Sequence, residues 1–323
     1  MFNSRTHISG FSIRLRMSKV LFVFGLCLLL ANNTLKAQQV PMYSQYMFNM
    51  INLNPAYAGN LGDDNVTLLY RMQWVGVDGA PKTGTLSWDR RQPDSNVGYG
   101  LQIYNDRLGI ESSTGVQAFY SYRLKFSNSN LVLGLSAGAL NYQAAYSKGT
   151  TTSSGDPLFA EDVKVVLPTV GFGMLYNTER MYMGFSMPAL LKTKTGVNST
   201  LISTSANNHY FVTGGYIFDA SDAVKLKPSF LLKSVQGSPL AFDINMNAWF
   251  QNALGVGLSY RTNDALVGMF EIQLSPSLRL GYAYDYLISN LKTYNMGGSH
   301  ELMLRYGFST KKGNRVILPW NLQ

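Results

Sequence analysis

The chain has 323 residues, a formal net charge of +9, a mean hydropathy of −0.03 and an aromatic content of 13%. Five Lys or Arg and no Asp or Glu fall in residues 1–37, so the remainder carries about +4, an ordinary balance that gives no reason to expect nucleic acid as a partner. Beyond residue 37 there is no cysteine and no apolar run of eighteen residues, which excludes a disulfide framework and inner-membrane helices.

Arg5, Arg14, Arg16 and Lys19 precede an apolar run from Val20 to Ala31, and a polar stretch then closes on Leu35, Lys36 and Ala37. A basic start, a short apolar run and a small residue at the cut predict a secretory signal peptide over residues 1–37, cleaved after Ala37. Met17 can serve as the start. The run of about twelve residues is too short for a bilayer core that needs roughly twenty. Cys27 lies within it between Leu26 and Leu28, outside the small-residue context of a lipoprotein site.

Residues 38–65 follow, and contain QYMFNMINLNPAYAG (Gln45 to Gly59). With Met42, Tyr43, Tyr46, Met47, Phe48, Ile51 and Leu53, this segment is too apolar for a solvated tail.

From residue 66 to 309 the chain reads as short segments of period two, broken at Gly, Pro, Asn, Asp and Ser clusters. Fourteen strands are predicted: 66–74, 83–90, 96–106, 112–126, 130–143, 165–176, 180–187, 209–218, 224–235, 240–250, 253–262, 265–275, 278–288 and 299–309. In the thirteenth, Leu278, Leu280, Tyr282, Tyr284 and Tyr286 share one face, while Arg279, Gly281, Ala283 and Asp285 share the other. In the last, Leu302, Leu304, Tyr306 and Phe308 alternate with Glu301, Met303, Arg305 and Gly307; in the fourth, Val116, Ala118, Tyr120, Tyr122 and Leu124 alternate with Gln117, Ser121, Arg123 and Lys125. Apolar residues on one face of strand after strand, clearest in these three, and near-zero hydropathy overall predict an all-β fold: a transmembrane antiparallel β-barrel of about 14 strands with a lipid-facing exterior. A slip of one residue would put Arg279 or Arg305 in hydrocarbon, at about 2–4 kcal/mol each near the midplane.

The joins after even-numbered strands are short, and the long ones, 75–82, 144–164, 188–208 and 289–298, all follow odd-numbered strands. Since outer-membrane barrels carry short periplasmic turns and long extracellular loops, both termini are expected in the periplasm.

Arg71, Arg123, Lys125, Lys225, Lys227, Lys233, Asp243, Arg261, Glu271, Arg279, Asp285, Glu301 and Arg305 fall on the predicted inner face. They could line a solute pathway, or pair across strands in a closed lumen; a fourteen-strand barrel needs water or a plug inside. Residues 38–65 accordingly either fold into the lumen as a plug or dock on a periplasmic partner. Gly98 with Gly100, Gly171 with Gly173 and Gly255 with Gly257 sit within strands, without the helix and lysine of a phosphate loop. They are expected to admit neighbouring rings or a close approach of backbone.

No catalytic constellation can be assembled. His209 and His300, the two histidines after residue 37, each lie near a strand start, and no enzyme activity, transition metal or other cofactor is expected. Asp63 with Asp64, or Asp156 with Glu161 and Asp162, could hold surface calcium, but lack the ligand spacing of a known loop. The end of the chain, STKKGNRVILPWNLQ, carries Lys311, Lys312, Arg315 and Trp320 over residues 310–323 and is a candidate periplasmic contact.

Four segments in order, NPAYAG within Gln45–Gly59, RMQWVGVDGAPKTGTLSWDRR (Arg71–Arg91), VGYGLQIYNDRLGI (Val97–Ile110) and GGSHELMLRYGF (Gly297–Phe308), resemble the PorP/SprF family linked to the type IX secretion system of Bacteroidetes. Members commonly carry an acidic residue and a proline near the positions of Val40 and Met50, which this chain lacks. The resemblance implies a non-enzymatic outer-membrane accessory, seated in outer-membrane lipid, that supports secretion or surface attachment of a cognate exported protein with a C-terminal sorting domain, such as an adhesin used in gliding. It implies that the loops 144–164 and 188–208 hold that partner. The N-terminal segment, with Gln45, Tyr46, Phe48, Asn49, Asn54, Pro55, Ala56, Tyr57 and Gly59, and the basic tail would face other secretion components. A passive porin or small-solute uptake barrel is the alternative.

Overall fold

In the computed structural model, which describes residues 42–62, 64–148, 162–191, 194–195, 204–205, 208–235, 238–289 and 297–308, the alternating segments become barrel strands. These are β1 (Asp64–Met72), β2 (Lys82–Arg91), β3 (Val97–Leu108), β4 (Glu111–Lys125), β5 (Asn130–Ala144), β6 (Val163–Asn177), β7 (Met181–Met187), β8 (His209–Tyr216), β9 (Val224–Val235), β10 (Ala241–Phe250), β11 (Leu254–Arg261), β12 (Ala265–Ser275), β13 (Leu278–Leu287) and β14 (Ser299–Phe308). Each pairs antiparallel with its chain neighbours, and β1 pairs with β14 from Asp64↔Phe308 to Met72↔His300, so the fourteen strands close into a barrel without a free edge. Closure satisfies the backbone N–H and C=O groups that hydrocarbon cannot. The predicted signal peptide and the basic tail lie outside the described residues, as does most of both loops 144–164 and 188–208.

Alternation sets the two faces. Leu68, Leu258, Tyr282, Tyr284, Tyr286, Leu302 and Leu304 point outward, Leu258 with 72% of its surface exposed to the membrane side. Arg71, Arg279, Asp285, Glu301 and Arg305 point inward and are at most 3% exposed. The joins at 92–96, 126–129, 178–180, 217–223, 251–253 and 276–277 cluster at one end of the barrel, and the strand ends that flank the long joins, at Ala144 and Val163, Met187 and His209, and Leu287 and Ser299, lie at the other.

Strand limits differ from the sequence expectation by one or two residues at several ends. The predicted strand 209–218 is divided: β8 stops at Tyr216, and a separate short strand, Phe218–Ser221, runs along the start of β9. The ladder between β8 and β9 ends at Gly215↔Ser229 and resumes at Phe218↔Leu226. Pro228, which has no N–H to give a ladder, sits in that gap. The long join after β7 contains a minimal pair of strands, Lys194–Thr195 with Thr204–Ser205, too short for any sequence period to reveal. Lys125, expected among the lumen charges, has inward phase but is exposed, because it is the last residue of β4 at the short-turn end.

Candidate functional site: the segment inside the barrel

Residues 42–62 lie inside the barrel, and most are buried: Gln45 has no exposed surface, and Asn54 and Ala56 have 1% each. The segment folds as three single 3-10 turns, Tyr46–Phe48, Met50–Asn52 and Pro55–Tyr57. So short an element has poor internal hydrogen bonding, and its order comes from the strands around it.

Its first part is held by charge. The Glu301 carboxylate accepts the backbone N–H of Ser44 at 2.7 Å and of Gln45 at 2.8 Å. Arg71 donates to Glu301 at 3.1 Å, to Asp285 at 2.7 Å and to the Ser44 hydroxyl at 2.8 Å. The Ser44 hydroxyl in turn donates to Asp285 at 2.7 Å. Arg261 extends the network, with nitrogens 3.4 Å from Asp285, 3.3 Å from Asp243 and 3.1 Å from Asp264. Of the predicted lumen charges, the structure thus brings Arg71, Asp243, Arg261, Asp285 and Glu301 together against the long-join halves of their strands. A charge buried here without partners would cost several kcal/mol, so the segment and the network depend on each other.

The middle part packs by shape. Tyr46 accepts a hydrogen bond from the Asn245 amide at 2.6 Å, Asn247 reaches the Met47 sulfur at 3.1 Å, and Phe48 meets the Trp249 ring edge-on at 6.5 Å. Trp249 donates to Glu271 at 2.9 Å, and Glu271 lies 3.4 Å from Arg279. Asn49 donates to Ser87 at 2.9 Å, and Tyr43 hydrogen-bonds Thr85.

The motif NPAYAG forms the third part. Asn54 is the N-cap of the turn Pro55–Tyr57: its side-chain oxygen accepts the Ala56 N–H at 2.9 Å, and Pro55, whose missing N–H costs nothing there, takes the first position. The Asn54 amide donates to the carbonyls of Met174 at 3.0 Å and Phe185 at 3.3 Å, which are partners across β6 and β7. Ser186 donates to the Leu53 carbonyl at 2.7 Å, and Ser121 to that of Ala58 at 2.8 Å. Gly59 adopts φ +68° with its Cα face 2.5 Å from the Arg90 carbonyl for any added Cβ, so glycine is required twice over. Its N–H donates to Asp89 at 2.9 Å, while Arg91 donates to the Gly59 and Asn60 carbonyls and Arg123 to the Asn60 side chain at 3.0 Å. Ala58 to Asn60 thus rest on the short-turn ends of β2, β3 and β4, and the described segment runs from the long-join half of the lumen down to that end, where β1 begins.

The strand glycines explain the fit. A Cβ on Gly134 would overlap the Ala56 backbone, one on Gly173 the Asn54 side chain, one on Gly98 the Ala58 carbonyl, and one on Gly281 the Gln45 side chain. Gly100 faces Ile51; Gly255 and Gly257 face Trp249 and Asn247, and Gly171 faces Ser136 and the Pro188 carbonyl. Both expected uses occur, close backbone approach and space for a ring.

Sequence reasoning missed Ser44, Asp89, Ser121, Ser186 and Asn245 as contacts of the segment. Asp89 was accessible to it, because Thr83, Thr85, Ser87 and Asp89 share the inward phase of β2. His300 lies on the outward face near the long-join end, with Nδ1 2.7 Å from the Tyr282 hydroxyl, and His209 is buried at the start of β8. Asp162 accepts the Ser147 N–H at 3.0 Å and Asp64 the Trp88 indole N–H at 3.0 Å; Asp63, Asp156 and Glu161 lie outside the described residues. Among the described residues no three His, Cys, Asp or Glu come together as metal ligands. Lys311, Lys312, Arg315 and Trp320 also lie outside them.

Among solved structures, the chain is similar to the outer membrane protein Omp33 of Acinetobacter baumannii, at 9% identity and a TM-score of 0.45 over 76% of this chain and 98% of that one. It is similar to the CymD monoaromatic hydrocarbon channel, at 12% identity and a TM-score of 0.47 over 83% and 94%. It is likewise similar to the Ralstonia pickettii toluene transporter TbuX, at 10% and 0.46 over 82% and 93%. Likenesses this distant carry no implication for what the lumen holds. No curated protein matches the chain. The family model described as type IX secretion system membrane protein PorP/SprF matches residues 35–306, from before the lumen segment to Tyr306 within the last strand, and the chain therefore belongs to the PorP/SprF family of the type IX secretion system.

Proposed function

We propose that this outer-membrane component of the type IX system is a closed barrel dedicated to a partner: it binds a cognate exported protein carrying a C-terminal sorting domain and supports its secretion or attachment at the cell surface. The observation that carries this reading is the lumen segment. Residues 42–62 touch the barrel wall on several sides, from the Glu301 side chain on β14 through the β6 and β7 carbonyls that Asn54 meets to the Asn245 side chain on β10, and a barrel so filled is suited to holding a partner and poorly suited to passing solute. On this reading the long joins at 145–162 and 188–208 face outward and receive an adhesin or similar client. The short turns and the tail with Lys311, Lys312, Arg315 and Trp320 face the periplasm and other secretion components. On this reading the N-terminus is periplasmic as well, although Ser44 lies in the long-join half; protease accessibility of an epitope inserted after Gln38 in intact cells decides its side.

The test is affinity purification of a tagged copy from gently solubilised native membranes, with partners identified by mass spectrometry. Recovery of one large surface protein with a type IX sorting domain supports the reading and names the client. Recovery of the barrel alone, together with steady conductance of the intact protein in planar bilayers and unchanged surface proteins in its absence, overturns it in favour of a free-standing porin.

A further inference from the structure

Beneath the middle of the lumen segment, toward the short-turn end, is a cavity of about 50 Å³ lined by Phe48, Tyr57, Asp89, Tyr182, Lys227 and Arg305. Its two cations are unlike the others in the lumen. Arg71 and Arg261 are bound to carboxylates, Arg279 to Glu271, and Arg123 to Asn60. Lys227, 5% exposed, has its ammonium 5.0 Å above the Tyr182 ring, and Arg305, 1% exposed, donates through Nε to Thr67 at 3.4 Å while Nη2 has no partner. Among the described residues neither is within ion-pair distance of a carboxylate: Asp89, which lines the same cavity, accepts the Gly59 N–H, and Glu271 accepts from Trp249 beside Arg279, so both attract these cations only from farther away. Two buried cations sharing one cavity repel each other and lose hydration, a cost that the more distant Asp89 and Glu271 carboxylates offset in part and that an anion seated on the cationic side, away from Asp89, would reverse.

From this arrangement we infer that the cavity binds one small oxyanion of phosphate size, held between the Lys227 ammonium and the Arg305 guanidinium. The guanidinium edge offers a planar pair of donors and the ammonium a compact charge, the usual means of gripping a phosphate or sulfate. The cavity is several times the roughly 10–15 Å³ that one water needs on the same measure, leaving room for a small ion. The strands separate it from lipid, which favours a free ion over a headgroup.

The test uses the full mature chain, purified and folded in detergent. Calorimetric titration with inorganic phosphate against chloride at equal ionic strength is expected to show saturable binding of one ion, and dihexanoyl phosphatidic acid, the lipid-headgroup arm, to bind at least tenfold more weakly. Lys227→Met and Arg305→Met are each expected to weaken phosphate binding at least tenfold, while Lys125→Met at the exposed end of β4 leaves it unchanged. Tighter binding of the short-chain lipid would overturn the free-ion assignment. Absence of saturable phosphate binding by the unsubstituted protein, a measurement independent of whether any variant folds, would overturn the site, as would undiminished binding by both folded variants.

Discussion

Arg71 and Glu301 stand directly opposite each other across β1 and β14, the seam that closes the barrel, and the same Glu301 carboxylate that meets Arg71 at 3.1 Å accepts the N–H groups of Ser44 and Gln45. Closure of the barrel and seating of the segment therefore share one carboxylate. Glu301→Gln keeps the shape but removes the charge: Arg71 retains its pair with Asp285 at 2.7 Å, while the Ser44 and Gln45 N–H groups lose their charged acceptor. We expect a loss of about 1.5–3 kcal/mol, as for hydrogen bonds that lose a charged acceptor. Urea unfolding followed by the heat-dependent shift in gel migration measures it; a loss under 1 kcal/mol would show that the network carries little of the seam.

Gly173→Ala and Gly134→Ala push a methyl group into Asn54 and the Ala56 backbone, respectively. Overpacking of this kind costs about 1–3 kcal/mol. Gly268, with open space where its Cβ would be, is the control, and Gly268→Ala should be nearly neutral. Limited proteolysis of the segment in folded protein reads the result: faster cleavage within residues 42–62 in the first two variants and unchanged cleavage in the third.

Asn54→Asp retains the oxygen that caps Ala56 but removes the amide that donates to Met174 and Phe185. Asn54→Ala removes both. If the cap dominates, Ala should cost about 1 kcal/mol more than Asp; we expect the reverse order, because the aspartate brings a charge that two carbonyls repel. Chemical denaturation of the two variants side by side decides it.

Deletion of residues 38–62 should convert a silent barrel into a conducting one, since the remaining inner face is rich in charge and the lumen of a fourteen-strand barrel cannot be filled by wall side chains alone. Planar-bilayer recording of the intact and deleted forms checks this. Equal conductance would mean that the segment does not seal the lumen.

Leu68 sits at the middle of β1 and faces outward, with Leu69 beside it facing inward and fully buried. Leu68→Arg should cost about 2–4 kcal/mol in a bilayer, as a cation at mid-depth. In detergent, where the head of the side chain reaches water, the cost should largely vanish. Comparing folding free energies in lipid vesicles and in detergent separates the membrane term from any effect on packing.

Much of the barrel could be read directly. Leu302, Leu304, Tyr306 and Phe308 against Glu301, Met303, Arg305 and Gly307 specify two faces with no tertiary knowledge, because a strand turns successive side chains to opposite sides. The break near Pro228 and the exposure of Lys125 were less accessible, since both depend on where a neighbouring strand ends. The motif NPAYAG was visible as a string, but its work was not: Asn54 caps a turn that exists only because Gly134, Gly173 and Gly98, far along the chain, leave room for it.

Period-two patterning with turn residues and connection lengths specifies a membrane barrel, its strand number and its inner charges, all of which are local consequences of strand geometry repeated along one dimension. Pairing among those charges is not local. Arg71 meets Glu301 across 230 positions of chain and Asn245 meets Tyr46 across 199, so the partners follow from closure and from the path of the inner segment. Lys227 and Arg305 look like any other inward cations in the sequence, and it is the folded lumen, by assigning Asp89 and Glu271 to other donors, that leaves them facing one cavity together.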